Sequence, residues 1–443
     1  MYCCQQVLVG KNPELIATLT FLCEQSHKLT NMGIYYGRQL YFKSQKGIGK
    51  FDLEKVYKNN NHYKVLHSQA AQQVLSTVAE SFRSYYSLIK AYTEGKIADR
   101  PRIPNYRKKG KGGLATVSYP AQALKLKGNQ IRVPLGNTCK RWFGLDCFYI
   151  PMPSNLEFNA LKELKILPRN RYFYYEFVYE KEVVKPQLNQ ENVLGIDHGV
   201  NNWLTCVSNV GTSLIVDGKH LKSMNRWYNK QISTIKENKP LGFWSNKLAA
   251  ITEKRNRQIR DGINKAARIV INHCLEHELG TIIFGWNKGQ KNEIKLGHKK
   301  NSEFVPIPTA RLKERIAQLC SEYGIIFIET EESYTSIASF LDGDYLPNYG
   351  EKPNDWKPSG KRIKRGLYRS GNNCFVNADC NGAANIITKV SRKLGLNLSR
   401  LCRGALTCPQ RVYLWSAKNK RSNKDLSVLR SLNLESPWLQ SGE

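Results

Sequence analysis

The sequence predicts an α/β protein in two parts. A small β-domain interrupted by a helical insertion is followed by an α/β layer. Three observations predict this. Apolar residues recur at helical spacing between about Pro13 and Tyr92. Strand-like runs flank that stretch, at Gln5–Val9 and again between Gln130 and Val184. Beyond Val193 a strand meander gives way to helix, strand, helix and strand, the element pattern of an α/β sheet.

The first helix is expected from Pro13 to about Leu40, with Leu15, Ala17, Leu19 and Leu22 on one stripe. A second runs from about Ser68 to Tyr92 through Val74, Val78, Phe82, Tyr85 and Leu88, a stripe suited to a helix-bundle core. Residues 101–113 then hold five basic residues, no acid, two prolines and three glycines, which predicts an exposed basic loop. Strands are expected at Gln130–Val133 and Cys147–Ile150, and as one long alternating run over Arg171–Val184.

In the second half Val193–Asp197 reads as a strand ending on an acid, continued by Trp203–Ser208 and Ser213–Val216. Helices follow at about Lys222–Asn238 and Ser245–Glu278. The latter carries Lys254, Arg255, Arg257, Arg260, Lys265 and Arg268, able to lie along a phosphate backbone. Thr281–Phe284 is a buried strand, Arg311–Tyr323 a helix, Gly324–Ile328 a strand, and Asp379 opens a last helix. This order suggests an RNase-H-like layer. The tail beyond about Ser416 is polar and expected to be mobile.

Charge narrows the function. Against 36 acidic residues stand 68 Lys and Arg, a formal net charge of +32 over 443 residues. Such an excess points to phosphate-rich partners. Twelve cysteines include no Cys-x-x-Cys pair, and the start lacks a secretory pattern, so a reducing, cytoplasmic setting is expected, nucleoid-associated if prokaryotic. No apolar stretch approaches the ~20 residues that span a bilayer, so no membrane partner is expected.

Acids in a chain this basic are informative where they cluster in glycine-rich or strand-end contexts. Three segments do so: Gly195-Ile196-Asp197-His198-Gly199-Val200-Asn201-Asn202, Ile328 to Ser336 with Glu329, Glu331 and Glu332, and Asn377-Ala378-Asp379-Cys380-Asn381-Gly382-Ala383-Ala384-Asn385. Converging, they would form an oxygen-only cage for hard divalent cations. Two-metal phosphodiester cleavage uses such carboxylates around cations about 4 Å apart. Singly, Asp197 reads more readily as a structural strand-to-turn residue and Asp379 as a helix N-cap, and it is their order and contexts together that are specific.

Gly195–Asn202 with Asn377–Asn385 resembles the first and third RuvC motifs of the TnpB family, proteins encoded by insertion sequences and ancestral to compact type V CRISPR effectors. The resemblance extends over roughly residues 5–415. It implies α/β plus β-barrel architecture. A wedge β-domain (1–12 and 99–190) would enclose a helical recognition insertion (13–98). A RuvC-like nuclease domain (191–400) with a basic insert (343–370) and a C-terminal extension (401–443) would follow. It also implies a guide RNA, a double-stranded DNA target beside a short motif, and a role in transposition and DNA recombination. Two Mg²⁺ ions, replaceable by Mn²⁺, would be held by Asp197 and Asp379 as first and third acids.

Two departures from the family pattern stand out. The usual middle glutamate would end the strand Thr281–Trp286, where this chain has Gly285. Glu332 is the expected replacement as catalytic and metal-ligating residue, then Glu331, then Glu329. The family's zinc ribbon also lacks its thiolates. Ser339-Phe340-Leu341-Asp342 stands where the first Cys pair would, and only Cys374 and Cys380 flank the last acid, so no zinc is expected.

Basic residues interleaved with aromatics suggest nucleic-acid contacts. These are Tyr106 with Arg107, Lys108, Lys109 and Lys111, then Trp286 with Lys288, and Tyr368 with Arg369. Arg257 and Arg260 join them, as do Lys361, Arg362, Lys364 and Arg365 of the insert. The expected activity is an RNA-guided DNA endonuclease. A nuclease-dead RNA-guided repressor on the same scaffold, supported by Gly285, and a structure-specific nuclease needing no guide are the alternatives.

Overall fold

The computed structural model describes residues 1–44, 46–108, 113–183, 185–287 and 307–415. Lys109, Lys111, Lys288 and the tail from Ser416 lie outside them. The chain divides into two compact units, Met1–Glu182 and Val183–Glu443. Strands and helices are numbered below in chain order.

The first unit opens with β1 (Tyr2–Leu8), followed by four helices: α1 (Pro13–Ser44), α2 (Lys50–Tyr57), α3 (Asn61–Val65) and α4 (Ser68–Thr93). Glycines let α1 and α4 close up. A Cβ on Gly33 would stand 3.3 Å from Val78, and one on Gly37 only 2.6 Å from Phe82. The expected stripe on α4 is buried through Tyr85, but Leu88 is exposed where the helix runs past the core. Ala17 on α1 is exposed as well.

Then come β2 (Val117–Pro120), β3 (Lys125–Lys127), β4 (Gln130–Pro134), α5 (Asn137–Phe143), β5 (Cys147–Pro151), β6 (Leu161–Arg169) and β7 (Tyr172–Glu180). They form two ladders, β1-β7-β6-β2 and β3-β4-β5. The long run expected over 171–184 is therefore one arm of a hairpin. Its turn is Asn170-Arg171, both with positive φ, the backbone of a two-residue type I′ connection. Its other arm, β6, carries Pro168, a residue that argues against an interior strand. Pro168 is accommodated because pairing with β2 ends at Ile166.

The second unit is built on a six-stranded sheet. Its strands are β8 (Asn189–His198), β9 (Asn202–Ser208), β10 (Ser213–Asp217), β11 (Leu279–Gly285), β12 (Ile326–Thr330) and β16 (Gln410–Val412), in spatial order β12-β11-β8-β9-β10-β16. β9 is antiparallel to β8 and β10, while β11 and β12 run parallel to β8. A meander extended on its first strand by two parallel strands is the RNase-H-like arrangement. β16 lies within the stretch expected to be a C-terminal extension, yet it pairs with β10.

Helices α6 (Lys219–Lys236), α7 (Asn246–Glu276), α8 (Thr309–Tyr323), α9 (Ala378–Leu394) and α10 (Arg403–Thr407) complete the unit. Strand alternation sorts the two faces. Leu194, Ile196, Ile282 and Phe284 share a core with Ile263 of α7 and Leu312 and Ile316 of α8. Val193 and Ile283 pack instead with Ile386 and Ile387 of α9. The basic insert (343–370) carries β13 (Lys361–Lys364) and β14 (Leu367–Arg369), which β15 (Phe375–Asn377), just beyond it, completes into a small sheet.

Gly195 marks the tightest contact between α9 and β8. A Cβ there would meet the Ala383 carbonyl and Ile387 Cγ1, both at 2.5 Å. Overpacking of this kind costs about 1–3 kcal/mol. Gly195→Ala is expected to lower the melting temperature by several degrees while keeping the far-UV spectrum. Gly10→Ala, where nothing lies within 4 Å, is expected to be neutral.

Candidate active site

Asp197 is the penultimate residue of β8 and, two places after Gly195, points to the α9 face. A Cβ on Gly382 would sit 3.1 Å from Asp197 Oδ2, so this glycine leaves room for the acid. Asp379 lies one turn earlier on α9. The N-cap is Asn377, whose side-chain oxygen accepts from the backbone N–H of Asp379 and Cys380. Asp379 is thus spared capping. It accepts instead from Asn202 Nδ2 at 2.6 Å and Arg362 Nη2 at 3.0 Å. Arg411 fixes Asn202, donating to its Oδ1 and to buried Asp217.

Glu332 reaches the same place from the end of β12. A Cβ on Gly285 would stand 3.2 Å from Glu332 Oε2, so this carboxylate lies over the bare backbone of β11. Asn287 accepts from the Glu332 backbone N–H at 3.1 Å and faces its carboxylate at 3.5 Å. His198 Nε2 is 3.8 Å from Glu332 Oε2, and its ring packs against those of Phe284 and Trp286. Burial, then the neighbouring charges of Glu332 and Asp379, raise the Asp197 carboxyl well above the usual aspartate range. Asp197 is close enough to both of the other acids to feel their charge.

The other two glutamates are engaged elsewhere. Glu331 accepts from Lys389 Nζ, a side chain that also donates to the Pro347 carbonyl and whose pKa burial lowers to about 8. Glu329 accepts from Lys313 Nζ at 2.5 Å.

The turn carrying Glu332 is gripped by α9. Asn385 donates to the carbonyls of Thr335 and Ala338, and Asn381 donates to Ala338 and accepts from the Phe340 N–H. Both asparagines are fully buried. Tyr334 takes φ +64° here, and Thr335 Oγ1 donates back to the Glu332 carbonyl at 2.8 Å. Asn202, Asn287, Asn381 and Asn385 escaped sequence reasoning. The signal was present for the last pair, polar residues four apart on an otherwise apolar helix face.

Carboxylates tie the segment where thiolates were sought. Asp342 accepts from Ser359 Oγ, the Gly371 N–H and Asn372, while Asp344 accepts from the Ser339 and Ser359 N–H groups. Burial, then the charges of Asp379 and Asp197, push the Cys380 thiol far up.

The residues expected to touch nucleic acid divide by environment. Tyr106, Arg107 and Lys108 are exposed. Arg38 lies over the Tyr106 ring, and Asn31 pins the Arg107 backbone to α1. Lys361, Arg362, Lys364 and Arg365 are exposed on β13 and its turn. Asn201, with its amide oxygen facing Arg365, accepts there at 2.7 Å. Trp286 is half-buried under Lys313. Tyr368 is fully buried, donating to the Ile337 carbonyl, so it is no stacking platform.

On α7 only part of the basic row faces outward. Lys254 and Arg257 are exposed, but Arg255 binds Asn225, Arg268 binds Tyr323 and Lys265 pairs with Asp261. Arg260 is half-buried, 3.9 Å from Glu253.

A family model described as OrfB_IS605, probable transposase, matches residues 176–291, a stretch that includes Asp197 and stops short of Glu332 and Asp379. It bears out the resemblance to insertion-sequence proteins. No curated protein matches. The chain is similar to a mini-RNA-guided endonuclease CRISPR-Cas_phi3 structure at 9% identity and a TM-score of 0.42, over 88% of this chain and 92% of that one. A Cas12f1–sgRNA–target DNA complex matches at 15% identity and 0.32, over 87% and 98%. A CRISPR-Cas12f ternary complex matches at 16% and 0.34, over 84% and 80%.

The donors around Asp342 outweigh its burial and hold its carboxyl below the ordinary aspartate value. A folded-state pKa that is depressed stabilises above the unfolded value, about 3.9, and that stabilisation is lost as pH falls through the folded one. Asp342→Asn is therefore expected to lower the melting temperature at pH 7. The gap from the parent should shrink below about pH 4. Thermal melts across pH test this.

Proposed function

We propose that this chain, akin through residues 176–291 to the insertion-sequence probable transposases, is an RNA-guided DNA endonuclease with Asp197, Glu332 and Asp379 as its catalytic acids. The observation that carries the reading is Glu332 over Gly285, facing Asp197 and Asp379 at the ends of an RNase-H-like sheet. A high net positive charge supplies the setting for RNA and DNA. The wedge and recognition roles of the first unit belong to the same proposal. Among the described residues no helix is long and apolar enough to cross a membrane.

Three carboxylates, all oxygen donors, suit hard divalent cations such as Mg²⁺ or Mn²⁺ in chemistry. As they stand, no three His, Cys, Asp or Glu side chains among the described residues are gathered closely enough to hold an ion. Arg362 and Asn202 occupy the oxygens of Asp379 instead. Asp197, Glu332 and Asp379 would hold the cations, which when bound would activate water and stabilise the leaving oxygen. The chain's own residues do the rest. Asn377 caps α9 so that the Asp379 carboxylate faces outward, Asn202 orients it, and Asn381 and Asn385 hold the turn that delivers Glu332. Arg362, beside the acids, is placed to meet a phosphate.

Gly285 alone would favour a nuclease-dead repressor, and Glu332 standing over it removes that reason. The test is to purify the protein with its RNA, sequence that RNA, and supply a matched duplex with Mg²⁺. Asp197→Ala, Asp379→Ala and Glu332→Gln are each expected to reduce cutting by more than about 100-fold, the upper cost of disturbing even the groups behind a metal's ligands. RNA retention should persist. Glu331→Gln, which loses only the Lys389 pair, should cut far better than Glu332→Gln. Equal cutting by Glu332→Gln and the parent would sink the assignment.

A further inference from the structure

The outer surface of α7 and α8 carries a cluster that the carboxylate site does not use. Arg311 and Arg315 are four apart on α8, beside the face that buries Leu312, Ile316 and Leu319. Arg260 and Asn264, also four apart, face them from α7, and Glu314 and Gln318 complete the lining of a groove. Three guanidinium groups thus meet one lining carboxylate. Arg260 has Glu253 3.9 Å away, and Arg315 Nη1 donates to Gln318 Oε1 at 3.2 Å. Arg315 Nε is buried with no hydrogen-bond partner among the described residues. A buried guanidinium N–H left unmatched is costly, and so is mutual repulsion among cations that share a groove. Arg255 is affected too, since burial and then Arg311 disfavour its charge. An anion in the groove relieves both costs.

Its position says which kind of anion. Arg260 and Arg311 belong to the helices that cover Leu194, Ile196 and Phe284, whereas Asp197 and Gly285 open on the α9 face. A phosphate held here lies across the sheet from the acids and is not one being cut. Arg311 and Arg315, whose one lining carboxylate is Glu314, call for a counter-anion that stays, and on the reading above the guide RNA stays while target DNA comes and goes. We propose that the α7–α8 groove is a binding site for the phosphodiester backbone of the bound RNA, with Arg260, Arg311 and Arg315 as its anchors. Arginine forks suit it, since each can meet two phosphate oxygens.

The proposal rests on the RNA-guided reading, and the experiment separates the two. RNA that co-purifies with the full-length parent is sequenced, transcribed and titrated against the parent, Arg311→Gln/Arg315→Gln and Arg311→Lys/Arg315→Lys over a range of salt. A parallel titration uses a 30-base-pair duplex DNA as probe. Loss of two phosphate contacts should weaken RNA binding about ten- to hundredfold and flatten log affinity against log salt by about 1.4–1.8. The Lys pair should keep most of the slope, which separates charge from folding. Unchanged affinity and slope in the Gln pair would overturn the groove. Loss confined to the DNA probe, or equal loss in the Lys and Gln pairs, would overturn it as well. A parent that holds no RNA would remove the guided reading and the groove together, whereas a parent that binds while the Gln pair matches it removes the groove alone.

Discussion

The close approach of α9 to the sheet is the constraint on which the rest of the site depends. Three missing β-carbons allow it. Gly195 admits the Ala383 carbonyl, Gly382 leaves space for Asp197, and Gly285 lies under both Ile386 and Glu332. A side chain at any of them would push the helix outward, and α9 carries Asp379 as well as the asparagines that hold Glu332. Glycine serves here through its size rather than its freedom in φ, because none of these three has a positive φ.

Neutralisation is the second theme. Burial and the charges of Glu332 and Asp379 raise the proton affinity of Asp197, and basic side chains stand on the acids around it, Arg362 on Asp379, Arg411 on Asp217 and Lys389 on Glu331. These pairings also sort the acids. Of Glu329, Glu331 and Glu332, the first two are paired with lysines, and the one that faces the Asp197 pocket is Glu332.

Much of this was legible in the sequence, for identifiable reasons. Short apolar runs marked β8 to β11, and apolar periodicity marked α1 and α4 to within a few residues. β6 was missed because lysines and Pro168 hide its alternation, and the Asn170-Arg171 turn lacks the glycine that usually announces a hairpin. Asp197 and Asp379 could be picked by context. The preference for Glu332 over Glu331 and Glu329 rests on its reach and its place beside Ser333–Ser336, because Lys313 and Lys389, which occupy the other two, are brought in only by the fold. The basic residues of α7 could not be divided into inward and outward sets from their spacing, since Asn225 and Tyr323, which claim Arg255 and Arg268, come from other helices.

An acid carried at the end of its own strand is specified by identity at one position. Glu332 is specified differently. It follows β12, which ends at Thr330, and precedes the turn fixed at Tyr334, so the short link between them acts as a ruler. Loops ordinarily absorb inserted or deleted residues with little harm. This one does not have that latitude, because one residue more or fewer would put a different side chain over Gly285. Evolutionary drift in length here is therefore as restricted as drift in the acid itself, and any graft of this site onto another sheet must carry the whole stretch from β12 to Ala338 as one piece.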